Sequence, residues 1–135
     1  MNPDARHDAA ARLVTAACVA MAAGVALGAF GAHGLSGHLA SDLLATYETA
    51  VRYHLVHGLA ALVAGIVARL GAPRAAVAGW MFLGGLVLFS GSLYVLAVTG
   101  TRWLGAITPV GGVLWIAAWL VLAAAAFSSP RTAGR

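Results

Sequence analysis

The chain has 135 residues, of which 61% are hydrophobic and only 9% are charged. An ordinary soluble domain carries about 25% charged residues, and a small domain exposes much of its chain, so this composition excludes a soluble fold and indicates a membrane protein. The net charge of +4 comes from scattered arginines without a basic run. We therefore interpret the arginines as signals of membrane topology and not as a nucleic-acid-binding surface.

The first predicted span runs from about residue 13 to residue 35, after a polar tail over residues 1–12. About 20 helical residues cross a hydrocarbon core of about 30 Å, so the segment is long enough to span a bilayer. Its apolar run exceeds the ~7–15 residues of a signal-peptide core, so we expect the segment to stay in the protein as a membrane span and not to be cleaved off. We expect Cys18, inside this run, to be a buried packing residue, because apolar surroundings disfavour the thiolate.

The second helix is predicted from about Ser41 to Leu70, with residues 50–70 crossing the membrane and an amphipathic extension before them. Ser41 is expected to cap the helix with its hydroxyl, and Asp42 is an acid in the first turn. The apolar residues of the extension recur at helical spacing: Leu43, Leu44, Tyr47, Val51 and Leu55.

Two further spans follow, over residues 75–98 and 103–127, and residues 128–135 form a second polar tail. Short turns precede each of these spans, one at Gly71–Pro73 and one at Gly100–Arg102. Pro109 is expected to kink the last span, since proline removes a backbone donor inside a helix.

The arginines predict the orientation. Segments that would share one side carry six of the eight basic residues, and the other side carries Arg52 and Arg102. Basic residues concentrate on the cytoplasmic side of a bacterial membrane protein, so we expect both termini in the cytoplasm. The six are Arg6, Arg12, Arg69, Arg74, Arg131 and Arg135.

The fold class predicted is all-α: an integral inner-membrane protein, built as a compact bundle of four transmembrane helices. The lipid bilayer is its expected surrounding, and no cofactor or metal ion is expected. With four spans, the polar and glycine-rich patches of all four fall in the non-cytoplasmic half. Placing an ionisable group near the membrane interior costs free energy, so such groups tend to be paired and are often functional.

A candidate polar network follows from this convergence. Glu48 and Arg52 are spaced i, i+4 in the order that favours a helical ion pair, and His54 and His57 share a face at i, i+3. Pinning of the helix at the interface and a proton or substrate role stay open for the ion pair. Hydrogen-bonded packing, metal or haem binding and pH sensing stay open for the histidines. The candidate residues are His33, Glu48, Arg52, Tyr53, His54 and His57.

Small residues predict close helix packing or a broken helix in the same half of the bundle. Glycines let helix backbones approach closely in lipid, within one chain or between copies of it. Tyr53, Tyr94, Trp80 and Trp103 are expected as interfacial anchors, and Trp115 as lipid-facing or packed. The packing and kink candidates are Gly24, Gly28, Gly31, Gly34, Ser90, Gly91, Gly105, Thr108, Pro109 and Gly112.

Four ordered motifs carry a family resemblance: GAFGAHGL, ETAVRYHLVHGLA, SGSLYVLAVTG and WLGAITPVGGVLWIAAWL. Together they resemble family four-two-three of the domains of unknown function, with its YgdD-like and YwdK-like small inner-membrane proteins, and the related transmembrane protein 256 group. The resemblance covers about residues 13–122. It implies a four-span membrane protein, and it points to no particular activity because the family has no established biochemical role.

Three functions compete on these observations. The first is a structural or accessory protein that stabilises a membrane complex or packs with itself. The second is a small-solute or proton-coupled permeation element that uses the polar network of the outer half. The third is a membrane enzyme or a metal or redox site that uses the histidines. The first is the preferred hypothesis, so a homo-oligomer or a membrane-protein partner is expected and catalysis is not.

Overall fold

The apolar segments form long helices, as the composition predicts. A computed structural model describes residues 3–128, with side chains from His7 to Ser128, and these residues contain helices and no strand. The α-helices are α1 (Pro3–Phe30), α2 (Ser41–Arg69), α3 (Ala75–Leu86), α4 (Ser92–Thr99) and α5 (Thr108–Phe127). Two π-helical segments, Gly31–Leu35 and Val87–Gly91, and a 3-10 segment, Arg102–Ala106, complete the helical chain.

Four stretches are long and apolar enough to cross a membrane, which confirms the predicted all-α, four-span fold. The third stretch is not one regular helix, because the π-helical turn joins α3 to α4. Gly100 ends α4 in the left-handed conformation, with φ of 70°, and its N–H donates to Leu96 O at 2.8 Å. This is the usual glycine stop of a helix, and it confirms the turn predicted there. The four stretches are His7–Leu35, Ser41–Arg69, Ala75–Thr99 and Arg102–Phe127.

Local predictions at two helix starts are wrong. Helix α2 begins at Ser41 as expected, but the capping position is Ala40 and no side chain caps it. Pro109 does not kink a helix interior, because it lies in the first turn of α5, directly after the 3-10 segment. A proline in the first turn removes a donor that has no intrahelical acceptor, so the helix tolerates it there.

The N-terminal region also differs from expectation. Helix α1 already begins at Pro3, so the polar residues before the first predicted span are helical as far as the structure describes them. Cys18 is exposed on α1 rather than buried, since that face has no protein neighbour. Arg131, Arg135 and the side chain of Arg6 lie outside the described residues.

Helix α2 is the centre of the packing. It contacts α1 along one side and α3 and α4 along another, while α5 packs mainly on α3. The first and fourth spans do not pack extensively against each other. The main core is rich in alanine around Phe82 and Trp115, which lets helices approach and gain dispersion contacts in lipid.

Glycines fix the distance between α1 and α2. A β-carbon added at Gly24 would lie 2.9 Å from the Leu55 side chain, and one at Gly31 would lie 2.7 Å from the Tyr47 ring. These two glycines are therefore needed for the close approach. At Gly34 the added atom would meet only Phe30 of the same span, and at Gly91 nothing lies closer than 3.9 Å.

Candidate functional site

Two interhelical contact sets include the tyrosines and histidines of the second span. The first set, called the tyrosine–histidine set, consists of Tyr47, His54 and Tyr94. The Nε2 of His54 lies 2.8 Å from Ala20 O on α1. A carbonyl oxygen only accepts, so Nε2 carries the proton and donates it. The opposite ring atom, Nδ1, lies 3.3 Å from the Tyr94 hydroxyl, which donates to it when the ring is neutral.

Tyr47 extends this set toward the C-terminal end of α1. Its hydroxyl donates to Leu27 O at 3.0 Å, and its ring lies 4.9 Å from the ring of Tyr94. Tyr47 and His54 are both buried and lie seven residues apart, on one face of α2. The set therefore ties α1, α2 and α4 together through side chains.

The second set, called the aromatic stack, surrounds His57. Its imidazole lies flat on the indole of Trp115, with centroids 3.6 Å apart and planes inclined by 3°. The Nδ1 of His57 donates to Tyr53 O at 2.9 Å, within the same helix, and Trp115 donates from Nε1 to Phe82 O at 3.0 Å. The Tyr53 ring lies 4.9 Å from that of Phe89. The stack joins the second span to the third and fourth.

Ser90 lies within the π-helical turn of the third span and Ser92 directly after it, and the two serines differ in their partners. Ser92 donates to Phe89 O at 2.9 Å, and its hydroxyl lies 3.0 Å from that of Thr108. The Ser90 hydroxyl is fully buried and has no hydrogen-bond partner among the described residues. Gly111 packs against the backbone of this turn, since an added β-carbon would lie 2.6 Å from Phe89 N.

Glu48 and Arg52 lie apart from both sets. Both are exposed and line a depression of about 190 Å³ between α1 and α2. An ion pair requires a nitrogen–oxygen distance of 4.0 Å or less, and no carboxylate and guanidinium in the described chain lie that close. The predicted Glu48–Arg52 pair is therefore not formed. Their spacing permits contact, but both side chains are exposed, and an exposed ion pair contributes little to stability.

The remaining histidine candidate is isolated. His33 lies in the π-helical segment that ends the first span, where it is exposed. Within the described residues, its imidazole forms no hydrogen bond to Glu48. Among residues with described side chains, no three His, Cys, Asp or Glu residues form a cluster that could hold a metal ion.

The sequence comparisons agree with this membrane architecture. A family model described as "Protein of unknown function (DUF423)" matches residues 27–112, more than half of the chain. The chain belongs to the DUF423 family. This confirms the resemblance carried by the four motifs.

DUF423 relatives are named as membrane proteins. A UPF0382 membrane protein of Staphylococcus haemolyticus is 45% identical over 115 residues, which cover 85% of this chain and 93% of the relative. UPF0382 membrane protein YwdK of Bacillus subtilis is 47% identical over 104 residues, covering 76% and 85%. These names give no enzymatic activity. No solved structure gives a significant match.

Within this DUF423 chain, the structure divides the predicted network. It brings Tyr53, His54 and His57 into interhelical contacts, but through different partners, and it leaves His33, Glu48 and Arg52 exposed. The partners that sequence analysis did not assign are Tyr47, Tyr94 and Trp115. The i, i+7 spacing of Tyr47 and His54 was a usable signal for the first. The sequence predicts Tyr94 only as an anchor and Trp115 only as a packed or lipid-facing residue, because pairing across helices has no sequence signal.

Proposed function

We propose that this chain is a non-catalytic structural or accessory protein of the bacterial inner membrane. It stabilises a membrane assembly or packs with further copies of itself. The observation that carries this proposal is that polar side chains inside the bundle form hydrogen bonds between spans. Tyr47, His54, Ser92 and Trp115 each hydrogen-bond to another span.

Groups engaged in this way hold helices together. A permeation route needs polar groups that face water, and a reaction centre needs donors or acceptors free to meet a substrate. The ring N–H groups of His54 and Trp115 already donate to backbone carbonyl oxygens, so they are not free for a substrate. This arrangement supports a packing role over the permeation and enzymatic alternatives.

The proposed orientation has both termini in the cytoplasm. Leu13 packs on Gly65 and Gly79, so the adjacent Arg12 lies toward the same end of the bundle as Arg69 and Arg74. This grouping supports the positive-inside assignment. A green fluorescent protein fused to the C-terminus should fluoresce, and an alkaline phosphatase fused there should be inactive. The reverse pattern would overturn the orientation.

The outward faces of the first and fourth spans are the proposed assembly surfaces. They carry exposed apolar residues such as Val19 and Val25 on α1, and Ile116 and Leu120 on α5. Membranes solubilised in a mild detergent and run on native gels should show this chain in a discrete species larger than the monomer. A monomer at native expression level would contradict the accessory role.

A flux measurement separates the packing role from permeation. Proteoliposomes containing the chain should leak protons and small solutes no faster than protein-free liposomes. A flux above that background would overturn the proposal if Glu48→Gln abolished it without changing the amount of folded protein. Glu48 is suited to this test because it is exposed, so the substitution should leave the packing intact.

A further inference from the structure

We propose that the depression between α1 and α2 binds an aminophospholipid through its phosphoethanolamine headgroup. Arg52 would hold the phosphate and Glu48 the ammonium. This site is independent of the accessory role, since a monomer and an assembly present the same two side chains.

The depression is large enough for a lipid headgroup. Its volume is about 190 Å³, and at about 30 Å³ per water it has room for roughly six water molecules, which is more than a single ion needs. Gly28 and Gly31 contribute no side chains to it, and Val51 and Tyr47 pack against them. The full lining consists of Gly28, Gly31, Ala32, Tyr47, Glu48, Val51 and Arg52.

Its position along the helices matches a headgroup level. Arg52 lies about 17 residues before Arg69 on α2, which is about 26 Å of helix axis. On α1, Gly31 lies about 19 residues, or about 28 Å, after Arg12. Since the hydrocarbon core is about 30 Å thick, arginines at one interface place this depression near the opposite one.

The charges in the depression complement a zwitterion. A guanidinium offers a planar fork of donors that fits phosphate oxygens, and a carboxylate accepts the N–H groups of a primary ammonium. Because Glu48 and Arg52 are not paired with each other in the described chain, both remain available to a ligand. An anionic headgroup would satisfy Arg52 but would face repulsion from Glu48, and a choline headgroup has no N–H to donate.

The experiment is native mass spectrometry of the purified full-length chain with equal amounts of phosphatidylethanolamine, phosphatidylglycerol and phosphatidylcholine of identical acyl chains. We expect phosphatidylethanolamine to give the highest occupancy. Arg52→Gln should lower the occupancy of every phospholipid, by roughly tenfold. Glu48→Gln should lower only that of phosphatidylethanolamine, by about three- to tenfold, and should raise the relative occupancy of phosphatidylglycerol.

Arg102→Gln is the matched control, because Arg102 is an exposed arginine placed toward the same interface but outside the depression. It should leave all occupancies unchanged. Arg52→Lys should retain part of the binding, since it keeps the charge and loses the fork. Melting temperatures of the four variants should equal that of the unmodified chain, which removes misfolding as an explanation.

Three results would overturn the proposal. One is equal occupancy of the three lipids on the unmodified chain. Another is an Arg52→Gln variant that binds phosphatidylethanolamine as well as the Arg102→Gln control does. The third is soluble O-phosphoethanolamine that binds as well as the lipid, which would assign the depression to a water-soluble ligand.

Discussion

His57 of α2 lies against Trp115 of α5 with ring centroids 3.6 Å apart and planes inclined by only 3°. Helices α2 and α5 otherwise contact each other far less than α2 and α3 do. The stack is therefore a principal side-chain link between the second and fourth spans.

Removing the imidazole should weaken this link. We expect His57→Ala to lower the free energy of unfolding by about 2 kcal/mol, because it removes an aromatic pair and leaves a cavity. His57→Phe should cost about 1 kcal/mol or less, since it keeps a ring on the indole and loses only the bond to Tyr53 O. Unfolding by sodium dodecyl sulfate in mixed micelles measures both. An alanine variant as stable as the phenylalanine variant would contradict the stacking role.

The bond between His54 and Tyr94 should appear as a coupling energy. In a double-mutant cycle with His54→Ala and Tyr94→Phe, we expect a coupling of about 0.5–1 kcal/mol, the usual range for interhelical hydrogen bonds in membranes. Tyr94→Phe keeps the ring contact with Tyr47, so the cycle isolates the hydroxyl. Strict additivity of the two substitutions would show that the 3.3 Å contact contributes nothing.

Adjacent glycines of α5 provide a matched test of backbone packing. An added β-carbon at Gly111 would lie 2.6 Å from Phe89 N and 3.0 Å from Gly85 O, whereas at Gly112 the nearest atoms lie 3.8 Å away. Backbone atoms cannot rotate out of the way, so Gly111→Ala should destabilise the chain by about 2 kcal/mol or more. Gly112→Ala should change stability by no more than about 0.5 kcal/mol. Equal melting temperatures of the two variants would refute this difference.

The two serines near the π-helical turn should respond in opposite directions. Ser90→Ala removes a buried hydroxyl without a partner, so the variant should be as stable as the unmodified chain or more stable by up to about 1 kcal/mol. Ser92→Ala breaks the contacts with Phe89 O and Thr108 and should be destabilising by about 1 kcal/mol. Thermal unfolding in one detergent compares them directly. A Ser90→Ala variant less stable than Ser92→Ala would indicate that Ser90 has a partner of its own.

Much of the candidate site could not be predicted, because contacts between helices depend on how each helix is rotated. The spacing of Glu48 and Arg52 favours an ion pair, yet both side chains face an open depression. His54 and His57 lie near each other on α2, yet one bonds toward α1 and α4 while the other stacks on α5. Three residues of separation turn side chains by about 60° around a helix axis, enough to reach different neighbours.

The sequence by itself determined the four spans, the turns between them and the membrane class of the protein. These follow from composition and from apolar run length, which are local properties that a bilayer imposes directly. Only the tertiary structure decided which polar side chains meet. Gly24 and Gly31 bring α1 close to α2, and this approach carries His54 to Ala20 O and Tyr47 to Leu27 O. Glu48 and Arg52, two of the few charges in the chain, remain outside those contacts because the rotation of α2 leaves them exposed beside the depression.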